Sequence, residues 1–287
     1  MPSIEFYPVS QVDFEAFTAA FNRAYQDYFT PIIMTTGSFR ALIRHDDLDP
    51  DASVAAVDGE EIVGTGLLGL RDRVAWIGGM GVVPERRRQG IARRMMVYLL
   101  DQARARGATE VWLEVIENND AALRLYQQLG FETIRRLLVL ERKPAPPASP
   151  NSTYTIRTWP AAELLRHYAS FHDVPNCWQR DIRSLRHRAS ILRGWAALYR
   201  EDLVGYALGW SHYTEIRLAD LATHPGYDRA AITQALLTHL HWLQPDAPGY
   251  SYNVAEQDPA LPGYLATGYH ITQAQFEMRV LLGQEDR

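Results

Sequence analysis

"VVPERRRQGIARRM", residues Val82 to Met95, sets three consecutive arginines ahead of a glycine and two more arginines after it. The run reads in two ways. It is a basic grip for a nucleic acid, or it is a phosphate cradle in which the glycine and the backbone do the binding. An apolar strand end, Pro84, a polar turn, Gly90 and an apolar-periodic segment follow in that order. This order puts a tight turn at a helix N-terminus, where unsatisfied N–H groups and the helix dipole favour an anion. Gly90 lets a phosphate come close to the backbone where a Cβ would stand in the way. Ala92 is small enough to serve the same end, and the arginines then assist from outside.

The bulk composition weighs against the nucleic-acid reading. The chain has 287 residues, 47% of them hydrophobic and 22% charged, with a net charge of −5. Nucleic-acid binders draw affinity from neutralising many phosphates, whereas here the basic residues form a local patch on a mildly acidic chain. Cys177 is the single cysteine, which excludes an intrachain disulfide framework and fits a reducing compartment. No stretch reaches the ~18 to 20 apolar residues that span a bilayer, and "MPSIEFYPVS" lacks a signal-peptide pattern. The expectation is a cytoplasmic protein with no nucleic-acid and no membrane partner.

Length favours two domains. Residues 143–153, within "ERKPAPPASPNST", are proline-rich with little to bury and read as a linker. The halves on either side rhyme. "EIVGTGLLG" from Glu61 resembles "DLVGYALGW" from Asp202, so that Val63-Gly64 meets Val204-Gly205 at a shift of 141 residues. At the same shift Pro84 meets Pro225 and Ile91 meets Ile232. "NDAALRLYQQLGF" matches "QDPALPGYLATGY" at a shift of 138, aligning Tyr126 with Tyr264 and Gly130 with Gly268. A duplicated domain follows, 1–142 and 154–287.

Within the first copy, strands are expected at Ile4–Pro8, Ser53–Val57, Ile62–Leu70 and Val74–Val83, then at Thr109–Ile116 and Glu132–Leu140. A helix from about Arg88 to Arg106 carries Ile91, Met95, Leu99 and Ala103 on one face, and Gly107 closes it. A second helix covers Asp120–Leu129. The fold class is α/β in the broad sense, a mixed sheet flanked by helices in each of two tandem domains.

"VVPERRRQGIA" resembles the pyrophosphate motif of the GNAT acetyltransferases, Arg/Gln-x-x-Gly-x-Gly/Ala after a V-x-P strand end, here Arg87, Gly90 and Ala92. "WLEVIENNDAALRLYQQLGF" resembles the second signature of that family, and is similar to its branch that acetylates the N-terminal alanine of a ribosomal protein. The resemblance covers nearly all of residues 1–142. It implies acetyl-CoA as cosubstrate, no metal, and a small-molecule or peptide amine as acceptor. It implies that Met80, Gly81 and Val82 pair with the pantetheine arm, and that one of their N–H groups polarises the thioester carbonyl. It also implies that the backbone of Arg87, Arg88, Gln89, Gly90, Ile91, Ala92 and Arg93 holds the pyrophosphate and that Asn119 touches the cofactor arm. Tyr126 matches the tyrosine that protonates the leaving thiolate, and Glu114 the general base. Glu117, further along the same strand, is the alternative base.

These residue types suit the chemistry. An amine of pKa near 10.4 is almost wholly protonated at pH 7, and freeing it costs roughly 4 to 5 kcal/mol. A carboxylate can take that proton, directly or through water, while backbone N–H groups stabilise the oxyanion. In the second half the shifts turn Arg87 into Asp228, Gly90 into Ala231, Ala92 into Thr233, Glu114 into Tyr252 and Asn119 into Gln257. An aspartate ~5 Å from a pyrophosphate costs about 3 kcal/mol per phosphate charge at an effective dielectric near 20. The second domain is therefore expected to keep the fold without the chemistry. Its histidines, His167, His172, His239 and His241 among them, show no shared ligand face. The leading function is acetyl transfer from acetyl-CoA to a primary amine by direct attack in a ternary complex. A non-catalytic acyl-CoA sensor is the alternative.

Overall fold

The computed structural model describes residues 4–29, 32–146, 149, 153–212 and 214–283. In chain order the first half forms β1 (Glu5–Pro8), α1 (Phe14–Ala24), α2 (Thr36–His45), β2 (Val54–Asp58), β3 (Glu61–Arg71), β4 (Val74–Val82), α3 (Ile91–Ala105), β5 (Glu110–Ile116), α4 (Asp120–Gln128) and β6 (Glu132–Arg142). The second half forms β7 (Thr155–Pro160), the short α5 (Ala161–Leu164), α6 (Tyr168–Phe171) and α7 (Ile182–Arg188), then β8 (Arg193–Tyr199), β9 (Asp202–His212), β10 (Glu215–Thr223), α8 (Arg229–Leu243), β11 (Gly249–Ala255), α9 (Leu261–Ala266) and β12 (His270–Leu281).

The chain packs into two compact units. One runs to Ile134 and takes in the segment from Glu277; the other is Arg135–Phe276. In the first, β1 to β4 are consecutive antiparallel neighbours and β5 joins β4 in parallel. In the second, β7 to β10 repeat that antiparallel series and β11 joins β10 in parallel. The sixth strand is where the units depart from the expected 1–142 and 154–287 division. β6 pairs antiparallel with β11, in register Leu140↔Ser251, while the end of β12 takes the place beside β5. Leu138 and Leu140 are buried with Val254, Ala274 and Leu236 of the second unit. On the other side, Leu282 N–H reaches Thr109 O at 2.8 Å and Arg279 pairs with Glu110. Each unit thus finishes its sheet with a strand from the other half of the sequence. The linker expected at 143–153 lies partly outside the described residues.

The helices form for the reason their periodicity gives. Ile91, Met95, Leu99 and Ala103 of α3 are all at most 2% exposed, one stripe seated on the first unit's sheet. α3 starts later than the expected Arg88. Arg88 and Gly90 have φ of 61° and 75°, left-handed values that a right-handed helix cannot contain.

Candidate active site

β4 reads "VAWIGGMGV" and changes character half-way along. From Val74 to Ile77 it pairs in parallel with Glu110 to Leu113 of β5, and the register ends there. On its other side, Leu68 faces Ile77 and Leu67 faces Gly79, so Gly78 is an extra residue, a β-bulge. A bulge twists a strand and breaks its ladder, which parts β4 from β5 beyond Ile77. Met80 lies past this point. Its N–H donates to the Tyr25 hydroxyl at 3.0 Å, and that hydroxyl donates to Met80 O at 3.3 Å. Both backbone polar groups of Met80 therefore face the parting rather than β3, as in a non-hydrogen-bonded antiparallel pair. Glycine lets α1 come this close: a Cβ on Gly81 would stand 2.9 Å from Ala24 Cβ and 3.2 Å from the Tyr25 ring.

Next comes the turn. Pro84–Arg86 forms one 3-10 turn, Arg88 and Gly90 adopt positive φ, and α3 begins at Ile91 with no side chain capping it. Arg94 N–H bonds back to Gly90 O at 3.2 Å. The amides of Ile91, Ala92 and Arg93 precede it in the first turn, where no intrahelical acceptor exists. Arg88, Gln89 and Gly90 are exposed, and so is Arg93. The geometry is that of an anion cradle. Arg87 is exposed as well, but its guanidinium turns back onto the protein. Its Nε donates to Val82 O at 3.0 Å, one terminal nitrogen donates to Ala24 O at 3.0 Å, and both terminal nitrogens meet the Asp27 carboxylate at 2.7 Å. The first arginine of the motif braces the cradle against the end of α1. Arg86 pairs with Asp58.

The residues expected to do chemistry come from β5 and α4. Glu114 is half-buried on β5, and Trp76 Nε1 donates to its Oε2 at 2.8 Å. Register explains the pairing: Trp76 lies opposite Trp112, and Glu114 is two residues on, on the same face. Glu117 is not on the strand, since β5 ends at Ile116 and Glu117 falls in the following turn. Asn119 caps α4 through its side-chain oxygen, accepting from Ala122 N–H at 3.3 Å, and it also bonds the Tyr28 hydroxyl. Tyr126 is 7% exposed, packed on Phe131, and burial pushes its hydroxyl well above the usual phenol range. Tyr28 lies close enough to add to that shift. Tyr25, Asp27, Tyr28 and Trp76 were not singled out from sequence. The only signal was "AYQDYF", an aromatic and acidic cluster.

Residues 11–131 match the model of the acetyltransferase (GNAT) family. That stretch is similar to a GNAT domain, and it covers less than half of the chain. The [ribosomal protein bS18]-alanine N-acetyltransferase of Escherichia coli (strain K12) is 44% identical over 59 residues, 20% of this chain and 40% of that protein. N-alpha-acetyltransferase 30 of Schizosaccharomyces pombe is 38% identical over 90 residues, 31% of this chain and 57% of the relative. The chain thus spans about 40% of the length of the first curated relatives. Two solved structures share the fold over nearly the whole chain. A tandem GNAT protein from the clavulanic acid biosynthesis pathway has a TM-score of 0.73 at 16% identity, covering 99% of this chain and 100% of its own. A GCN5-related N-acetyltransferase from Sphaerobacter thermophilus has a TM-score of 0.76 at 16% identity, covering 97% and 95%.

The second unit repeats the frame of the first. The parallel register of β10 and β11 ends at Leu218↔Ser251, and Ala219 is the bulge. These are the positions of Ile77, Leu113 and Gly78 at the two repeat shifts. The contents differ. α8 is capped by Asp228, whose carboxylate accepts from Ala231 N–H at 3.0 Å. Arg180 donates to Ser251 Oγ at 3.2 Å, to Tyr252 O at 3.0 Å and to Asp220 at 3.4 Å. His172 and the Tyr206 hydroxyl reach the other Asp220 oxygen at 3.0 and 2.9 Å. Burial works against the Asp220 carboxylate, yet His172 and Arg180 hold its pKa below the usual range. Asp220 in turn raises His172 against the same burial. Tyr264, the counterpart of Tyr126, is spent on Ser251 Oγ at 3.3 Å.

Proposed function

We propose that the chain is an acetyl-CoA-dependent N-acetyltransferase whose chemistry is carried by the GNAT domain. The observation that carries this is the uncapped start of α3 behind Gly90, beside a β4 that has parted from β5 at Met80. Exposed first-turn amides suit a pyrophosphate, and the parted strand offers backbone donors and acceptors to an amide-bearing arm. Arg87 to Arg93 would hold the pyrophosphate through backbone, with Arg87 as the brace, and Met80 to Val82 would pair with the arm. Asn119, already joined to Tyr28, would border it.

In the reaction the amine attacks the thioester carbonyl, the C–S bond breaks and an amide C–N bond forms. Glu114 takes the proton from the amine, directly or through water, and Trp76 fixes its orientation. Glu117 is the alternative base. Tyr126 keeps its proton at neutral pH and gives it to the departing sulfur. The N–H of Met80 faces the parting and suits the oxyanion. The acceptor is a primary amine, small or peptidic. The two relatives' names refer to protein alanine and N-alpha acetylation, so a peptide α-amine heads the acceptor screen.

The second unit is, in this reading, a degenerate copy that supports the first. Asp228 already uses a first-turn amide of α8 and would repel a pyrophosphate, while Arg180 and Asp220 fill the parting of β10 and β11. Calorimetric titration with acetyl-CoA tests both statements. One site per chain is expected, lost in Gly90→Glu. Two sites would overturn the degenerate copy, and no site would overturn the transferase. Tyr126→Phe with Glu114→Gln separates the sensor alternative, since only an enzyme loses turnover.

A further inference from the structure

The Tyr25 hydroxyl makes two hydrogen bonds to the backbone of one residue, Met80, whose N–H and C=O are the groups the parted β4 turns toward the opening. Tyr25 follows the last turn of α1 and is 8% exposed. Its ring stacks on Phe21 at 4.5 Å between centroids and meets Tyr28 edge-on at 4.9 Å. Along the chain, Asp27 accepts both terminal nitrogens of Arg87. One short segment, 25–27, thus contacts the parting through Tyr25 and the cradle through Arg87.

Resting on the acetyltransferase reading, we propose that Tyr25 is a displaceable occupant of the acetyl-group position. A thioester carbonyl is an acceptor, and the N–H it needs is the one Tyr25 holds. A hydroxyl is an acceptor of similar reach, so it fills the same place until the acetyl group arrives and then turns out. A permanent brace on Met80 is the opposite reading, and the two differ in the sign of one measurement.

The measurement is acetyl-CoA affinity of Tyr25→Phe against the unaltered chain, with 3′-phospho-ADP as a second probe that fills the cradle and has no arm. Tyr25→Phe removes a bond that acetyl-CoA must otherwise break, so its Kd is expected to fall about 3- to 10-fold, the range one net hydrogen bond allows. Affinity for 3′-phospho-ADP is expected to stay within twofold. In a second experiment, 3-fluorotyrosine at position 25 gives a fluorine resonance expected to move with acetyl-CoA. Weaker or unchanged acetyl-CoA binding by Tyr25→Phe overturns the proposal, and so does a fluorine resonance that stays put. Equal tightening of both probes overturns it too, because the effect is then general loosening. If the unaltered chain binds 3′-phospho-ADP and acetyl-CoA normally in any of these outcomes, the acetyltransferase reading survives; if it binds neither, both fall.

Discussion

Single residues set the chemistry of the site, and each leaves a distinct trace when changed. Gly90 has φ of 75° with no atom within 4 Å of where a Cβ would stand, so conformation alone demands glycine there. Gly90→Ala is expected to cost about 1 kcal/mol in cradle geometry, read as roughly fivefold weaker acetyl-CoA binding in a calorimeter. In the proposed reaction Tyr126 and Glu114 act on protons rather than on cofactor binding. Tyr126→Phe is expected to lower kcat by about 10²- to 10⁴-fold while the acetyl-CoA Kd stays within threefold. Equal loss in Kd and kcat would make Tyr126 a packing residue. Glu114→Gln should lose turnover at neutral pH and regain part of it as pH rises and the amine frees itself.

Among the elements, α3 and α8 are the same length, but α8 begins three residues earlier in the repeat, at Arg229 rather than at Ile232, and their N-termini are opposites. No side chain caps the first amides of α3, whereas α8 gives one of its own to Asp228. Asp228→Ala should destabilise the second unit by about 1 kcal/mol, as lost caps do, seen as a lower urea midpoint. Acetyl-CoA stoichiometry should remain at one, because Arg180 still fills the parting. A second site in Asp228→Ala would show that the cap alone silences this copy. α8 also carries His241, 1% exposed and bonded to the Tyr269 hydroxyl at 3.1 Å. Burial lowers its pKa to about 4. A lowered value means that the unfolded chain takes up the proton first as pH falls. Stability from the neutral His241 is complete above pH ~6.5 and drains away toward pH 4, by about 3 kcal/mol over the window. His241→Gln should flatten the urea midpoint between those pH values; an unchanged slope would refute this assignment.

Over the whole molecule, the last strands of the two halves are exchanged between units. A fragment holding residues 1–142 keeps every candidate site residue but loses the end of β12, leaving the edge of β5 bare. An unpaired edge invites strand pairing between molecules. The fragment is expected to aggregate, or to fail to give a dispersed amide spectrum, despite containing the full family match. A soluble, well-dispersed, acetyl-CoA-binding 1–142 would show that β6 can fold back into the vacant place. Truncation after Phe276 in the full chain should damage acetyl-CoA binding by the same route, although no residue beyond 276 is near the cradle in sequence. The candidate site and its sixth strand are encoded at opposite ends of the chain. Among the described residues, no helix is long and apolar enough to cross a membrane.

What the sequence determined by itself is whatever depends on near neighbours. Periodicity placed α3, turn chemistry placed Gly90, and two linear signatures placed Glu114, Asn119 and Tyr126 on β5 and α4. A shift of 141 residues sets Asp228 opposite Arg87, whereas in the fold Asp228 is the N-cap of α8, the place that Gly90 takes at α3. Tertiary structure decided what depends on which surfaces meet. Leu138 and Leu140 carry an alternation that fits either unit's sheet, and only packing against Val254 and Ala274 sends β6 to the second. Arg87 looks, in sequence, like a cation turned toward a phosphate. In the fold Asp27, Ala24 and Val82 satisfy its guanidinium first, because an arginine this near a helix end bonds the carbonyls and carboxylate within reach. Tyr25 has no motif at all. Its role comes from α1 lying across Gly79 and Gly81, which brings a hydroxyl to a peptide 55 positions away, a distance across which local patterns carry no information.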